Sequence, residues 1–160
     1  MYKSQADAIK EWLQAYQRGE KEIDEKNDRL RTLKARMRSV PAQELSDMPR
    51  PPSSPKDRMA EYLIQVEALE KAIQYETKKQ DLCKNVILNL TDNLRKPEAC
   101  KLIRYRYLYG YEWSDVMKEL YGNRKDLKQK ENAYRRKMYR LHQSALKELA
   151  RLWIQEPEKQ

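Results

Sequence analysis

Arg135, Arg136, Lys137 and Arg140 crowd one short segment, Tyr134-Arg-Arg-Lys-Met-Tyr-Arg-Leu-His-Gln-Ser-Ala-Leu146. A guanidinium fork pairs bidentately with O6 and N7 of guanine, and both arginine and lysine bind phosphate. Asn132 and Gln143 carry carboxamides of the kind that read adenine. Just upstream lie Arg124, Lys125, Lys128 and Lys130. Residues 124–140 hold eight basic and two acidic side chains, whereas residues 98–160 hold fifteen and nine. The local excess of +6 therefore accounts for the whole excess of the C-terminal part, out of a chain total of +9. A positive charge gathered in this way is the electrostatic footprint of a nucleic-acid partner.

Other chemistries find little to work with. The chain has one histidine, His142, and two cysteines, Cys83 and Cys100, with no CxxC spacing. Neither a zinc site nor an iron–sulfur site can be assembled from them. Only three glycines occur, and none forms a phosphate-binding loop. The many carboxylates fall on charged helix faces, so no catalytic constellation emerges. The chain is thus expected not to be an enzyme and to take no metal, cofactor or small-molecule substrate. His142 reads as a packing or hydrogen-bonding residue, and the cysteines as small buried apolar groups with reduced thiols. No run approaches the roughly 20 apolar residues that span a bilayer. The start, Met1-Tyr-Lys-Ser-Gln-Ala-Asp, lacks the apolar stretch of a signal peptide. A cytoplasmic protein without a membrane partner is expected.

The elements that must carry the basic segment are helical. Phenylalanine is absent and 37% of residues are charged, a balance that suits long exposed helices with a narrow apolar seam. Residues 5–39 place Ile9, Trp12, Tyr16, Gly19, Ile23, Lys26, Leu30, Leu33 and Met37 at alternating spacings of three and four. This is a heptad seam weakened at Gly19 and Lys26. Residues 56–95 repeat the pattern through Met59, Tyr62, Val66, Leu69, Ile73, Glu76, Gln80, Cys83, Ile87, Leu90 and Leu94. Glu76 and Gln80 leave a polar gap that suits a third helix, a dimer partner or solvent. Between the two seams, residues 40–57 contain five of the seven prolines and read as a connecting loop. An antiparallel helical hairpin over residues 1–96 follows. Lys96-Pro97 breaks the second helix, which places a domain boundary there.

Residues 97–160 divide into shorter helices. The first runs from Pro97 to about Tyr109 and is ended by Gly110. Ser114 reads as the N-cap of the next, Asp115 to about Tyr121, which Gly122 stops. A third is clear from about Glu131. Trp113, Val116, Leu120, Met138, Leu141 and Leu146 are the expected core. Two platform helices followed by an arginine-rich third is the order of a helix-turn-helix, whose last helix lies in the major groove. On that reading Asn132, Tyr134, Arg135, Arg136 and Arg140 are candidates for base contact. Arg124, Lys125, Lys128, Lys130 and Lys137 are candidates for phosphate.

The pattern Arg104-Tyr-Arg-Tyr-Leu…Tyr111-Glu-Trp-Ser-Asp-Val…Leu120…Tyr134-Arg-Arg-Lys-Met-Tyr-Arg-Leu-His-Gln-Ser-Ala-Leu resembles region 4 of sigma-70-type factors. More closely, it resembles the small sigma-like regulators of Gram-positive phages, the RinA and ArpU type of late-gene activator. The upstream half is similar to the same group in its charged first helix, its loop with Met48-Pro49 and Ser53-Ser-Pro-Lys-Asp-Arg-Met59, and its second long helix. The resemblance implies promoter DNA as partner, activation of late or packaging genes, and Arg135, Arg136, Lys137 and Arg140 as DNA-binding positions. The chain departs from that pattern in the length of Tyr121–Asn132. This segment could be an added turn of the recognition helix, a basic loop against phosphates or a wing-like excursion.

Two further classes stand beside this one. A phage terminase small subunit also joins a helix-turn-helix to oligomerising helices. An adaptor would grip RNA polymerase through the hairpin, with DNA contact secondary. A homodimer is compatible with each.

Overall fold

The computed structural model describes residues 4–40 and 55–155. Most of the proline-rich segment expected to be a loop lies outside them. The described residues form α1 (Gln5–Arg38), α2 (Pro55–Asp92), α3 (Pro97–Ile103), a π-helical turn (Arg104–Leu108), α4 (Trp113–Tyr121) and α5 (Glu131–Gln155). The chain is all-α, as the 3.6-residue periodicity predicts.

Local chemistry accounts for most helix ends. Ser4 Oγ accepts from the backbone N–H of Asp7 at 3.1 Å, an N-cap for α1, and Arg36 and Arg38 sit in its last turn against the carbonyl end of the helix dipole. Pro55 and Pro97 each occupy a first helical position, where the missing N–H costs nothing. Helix α2 stops at Asp92, three residues before the expected end. Asn93 and Leu94 turn back through bonds to Leu90 and Thr91 at 3.1 and 3.2 Å.

Packing divides the chain into two compact units, one of residues 1–18 with 81–160, the other Gly19–Gln80. The boundary expected at Lys96-Pro97 is not where contacts separate. The border instead crosses both long helices, because their terminal apolar residues belong to the core of the short helices. In the first unit Ile9, Leu13 and Tyr16 of α1 and Ile87, Leu90 and Leu94 of α2 share one buried cluster with Leu102, Ile103, Val116, Met138, Leu146 and Leu149. Trp12 meets Trp153 at 5.0 Å between ring centroids. Cys83 and Cys100 pack half-buried against this cluster as free thiols.

In the second unit Ile23, Leu33 and Val66 are buried. Lys26 pairs with Glu76, Lys34 with Glu70 at 3.2 Å, and Gln80 Nε2 donates to Glu20 Oε1 at 3.2 Å. Partner numbers fall along α2 as they rise along α1, so within this unit the two segments run antiparallel. The polar gap of α2 faces the polar interruptions of α1. Gly19 remains inside α1, and a Cβ there would come within 2.5 Å of Gln80 Oε1, so the missing side chain makes room for that carboxamide. Leu63, Ile64 and Tyr75 point outward.

The segment expected to be one helix from Pro97 to Tyr109 changes character midway. From Arg104 it widens into a π turn, closed by the Tyr109 N–H donating to the Arg104 carbonyl at 2.9 Å. Such insertions shift the register of everything that follows. Arg104 is fixed to the end of α2, with Nε donating to Thr91 Oγ1 at 2.9 Å and Nη2 to the Leu88 carbonyl at 3.1 Å and Asp92 Oδ1 at 2.5 Å. Gly110 follows at φ 71°, a left-handed conformation that glycine adopts without steric cost.

Candidate nucleic-acid interface

Helices α3, α4 and α5 pack on one another, with α5 against both of its shorter neighbours. Helix α4 begins two residues earlier than its sequence suggests. Glu112 holds the extended N-cap position without a side-chain cap bond, Trp113 is the first helical residue, and Ser114 lies inside. The hydroxyl of Ser114 is therefore not the cap. Gly122 ends the helix in right-handed backbone, its N–H bonded to the Lys118 carbonyl at 2.7 Å.

Of the expected core, Val116, Met138, Leu141 and Leu146 are buried, and Trp113 and Leu120 pack half-buried against them. Trp113 sits edge-on to His142 at 4.8 Å and to Tyr139 at 5.4 Å, while the Arg106 guanidinium lies 4.7 Å above its ring. His142 is buried and shares a 2.8 Å hydrogen bond through Nε2 with the Tyr107 hydroxyl. Burial, reinforced by the positive charges of Lys10 and Arg106, pushes the imidazole down to about 4. Burial likewise pushes the Tyr107 phenol up to about 12. Both groups are neutral across the physiological range and serve as a packed, hydrogen-bonded pair.

Of residues 121–132, Tyr121 ends α4, Glu131 and Asn132 open α5, and residues 122–130 between them form a chain of turns. Bonds run from the Arg124 N–H to the Tyr121 carbonyl at 2.9 Å, from Leu127 to Arg124 at 3.3 Å and from Lys130 to Asp126 at 2.9 Å. Leu127 packs against the core, and Asp126 Oδ1 accepts from the Tyr134 hydroxyl at 2.6 Å. That hydrogen bond is the main reason the Asp126 carboxyl lies below its ordinary range and the Tyr134 phenol above its own. The connection is thus tied to the end of α4 through Arg124 and to α5 through Asp126.

The ten charged or polar candidates separate accordingly. Asn132, Arg136 and Arg140 are exposed on α5 at spacings of four. Gln143, Lys147 and Arg151 continue the same exposed stripe at three and four, opposite the buried Met138, Ala145 and Leu149. From Asn132 to Arg151 the stripe is about 29 Å long. Lys147 and Arg151 are missing from the sequence-based candidates, although the spacing that joins Arg136 to Arg140 and Gln143 leads directly to them. Arg135 stands off this stripe and pairs with Glu131 at 3.0 Å. Tyr134 is half-buried, its ring 5.1 Å from that of Tyr121 and its hydroxyl committed to Asp126. Lys137 leans over the Tyr121 ring at 5.3 Å. Arg124, Lys125 and Lys128 are exposed in the turns, and Lys130 pairs with Asp126 at 3.6 Å.

Among the described residues no cluster of His, Cys, Asp or Glu could hold a metal ion, and no helix is long and apolar enough to cross a membrane. Compared with known proteins, the chain matches no family model, no curated protein and no solved structure.

Proposed function

We propose that this protein is a sequence-specific, double-stranded DNA-binding regulator of transcription, with α4 and α5 as the two arms of a helix-turn-helix similar to sigma region 4. The observation that carries the reading is the exposed stripe Asn132, Arg136, Arg140, Gln143 and Lys147, on a helix whose opposite face is packed against α3 and α4. A helix held this way presents guanidinium and carboxamide groups to base edges, while the basic turns before it supply phosphate contacts. Arg136 and Arg140 are the best-placed base readers. Tyr134 acts as the hinge pin of the turn segment, and Lys125 and Lys128 hold the backbone. Promoter DNA of phage late or packaging genes is the target that the resemblance suggests.

The antiparallel segments of α1 and α2 serve in this proposal as a hairpin for protein contact. The outward Leu63, Ile64 and Tyr75 favour a protein partner there, RNA polymerase or a second copy. A many-membered ring in solution would favour the packaging-protein alternative.

Selection of bound duplexes from random sequence tests the DNA reading. A consensus is expected with the wild-type chain, and a relaxed one with Arg136→Ala and Arg140→Ala combined. Absence of any enrichment with the folded wild-type protein would overturn it.

A further inference from the structure

A crevice of about 290 Å³ lies between the start of α3 and the flank of α5. At roughly 30 Å³ per water, it has room for a phosphate group with part of its hydration. Lys96, Lys137 and Arg140 bring three positive charges to its walls, Glu98 brings one negative charge, and Ser144 adds a hydroxyl. Lys96 is held near α5 by its neighbour, since the Arg95 N–H donates to Glu148 Oε1 at 2.9 Å.

Tyr121 lines the same crevice. Only 1% of this residue is exposed, and its hydroxyl is buried with no hydrogen-bond partner among the described residues. Buried hydroxyls are almost always bonded, and leaving one unmet costs free energy, so this one calls for an explanation. The Glu98 carboxylate on the same wall acts on the phenol but makes no hydrogen bond with it. An anion in the crevice would.

We infer that this crevice is a phosphate-binding site, in which Tyr121 and Ser144 donate hydrogen bonds to phosphate oxygens and Lys96, Lys137 and Arg140 balance the charge. A phosphodiester carries one negative charge and accepts strong charge-assisted bonds. The surplus of three cations over one carboxylate suits it; the phenol is sealed from solvent as it stands, so an anion meets it only when a side chain of the crevice wall moves aside. In duplex DNA the ligand is a backbone phosphate beside the α5 stripe, an assignment that rests on the DNA reading. The same chemistry would accept a free phosphate. The site adds Lys96, Ser144 and Tyr121 to the binding surface and gives Arg140 a position at the border between bases and backbone.

The test uses the full chain and two probes, random-sequence duplex DNA and inorganic phosphate. With DNA, Lys96→Gln should lower the slope of log affinity against log salt by about 1. Tyr121→Phe and Ser144→Ala should each weaken binding several-fold at one salt concentration and leave that slope unchanged. Tyr121→Phe should fold normally, because it removes only a hydroxyl that lacks a partner. With inorganic phosphate, the amide resonances of Tyr121 and Ser144 should shift in the wild type and not in Lys96→Gln. If the wild type binds DNA and all three variants match it, the crevice is not a phosphate site and the DNA reading stands. If DNA binding is absent but inorganic phosphate shifts those resonances, the site stands with a free ligand and the DNA reading falls. If neither probe binds, both fall.

Discussion

The Tyr107 hydroxyl and Nε2 of His142 lie 2.8 Å apart, across the contact between the π turn and α5. With its phenol held protonated, Tyr107 can donate to a neutral imidazole. Trp113 closes the pair from the side, and Lys10 and Arg106 make a further positive charge there unfavourable.

This pair predicts a pH dependence of stability. The folded imidazole titrates near 4 and an unfolded one near 6.5, so the unfolded chain binds the proton first as pH falls. Stability from His142 is complete above 6.5, declines between 6.5 and 4, and changes no further below that. The loss should approach roughly 3 kcal/mol, since one pH unit is worth about 1.4 kcal/mol. Urea denaturation across that range should show a shallower decline in His142→Gln, which does not titrate. Equal slopes for the two proteins would refute the assignment.

Arg104 predicts a stability effect without a DNA effect. Its guanidinium satisfies Thr91, Leu88 and Asp92 at the end of α2, and it is only partly exposed. Arg104→Met should lower the unfolding free energy by about 2–3 kcal/mol, read as a lower urea midpoint. Arg104→Lys should recover little of this, because an ammonium lacks the planar fork. Full stability in Arg104→Lys would show that charge alone matters.

Lys26 and Glu76 form a half-buried pair between the antiparallel segments. Lys26→Leu alone should cost about 1–2 kcal/mol, because it strands a carboxylate in the seam. Adding Glu76→Leu should restore wild-type stability or exceed it. Thermal melts of the two single variants and the double variant form the cycle. A double variant less stable than either single one would contradict this account of the polar gap.

The turns before α5 predict a separation between affinity and specificity. Lys125→Gln with Lys128→Gln should reduce the salt slope of DNA binding by about 2 and leave sequence preference intact. Arg136→Ala should cost about 1–3 kcal/mol on the preferred sequence and relax one position of it. Tyr134→Phe should leave base preference unchanged, since its hydroxyl serves Asp126. A changed consensus in Tyr134→Phe would make it a reader of bases.

The helices themselves were legible residue by residue. Ile9, Tyr16 and Leu33 repeat at the helical period and are buried, Pro97 opens a helix, and Gly110 follows one, because periodicity and backbone chemistry are local; Leu13, absent from the expected seam, is buried beside the half-buried Trp12. The sequence also marked the basic segment, and its spacing extended further along α5 than the candidates taken from it. Less legible were the N-cap of α4, where Ser114 is a plausible cap by type but sits inside the helix, and the π turn after Ile103. Both depend on how neighbouring elements pull on a few residues.

Amino-acid order alone determined the all-α class, the two long amphipathic helices and the concentration of charge between Arg124 and Arg140. These follow from short-range spacing and from composition. Only the tertiary structure decided that Arg136 and Arg140 face outward while Tyr134 turns to Asp126. It alone set Glu76 against Lys26, drew both long helices into the core of the short ones, and left the Tyr121 hydroxyl unmet beside three cations. The meeting of the long helices with each other and with the short ones joins residues 50 or more apart in the chain, and local spacing carries no information about such meetings.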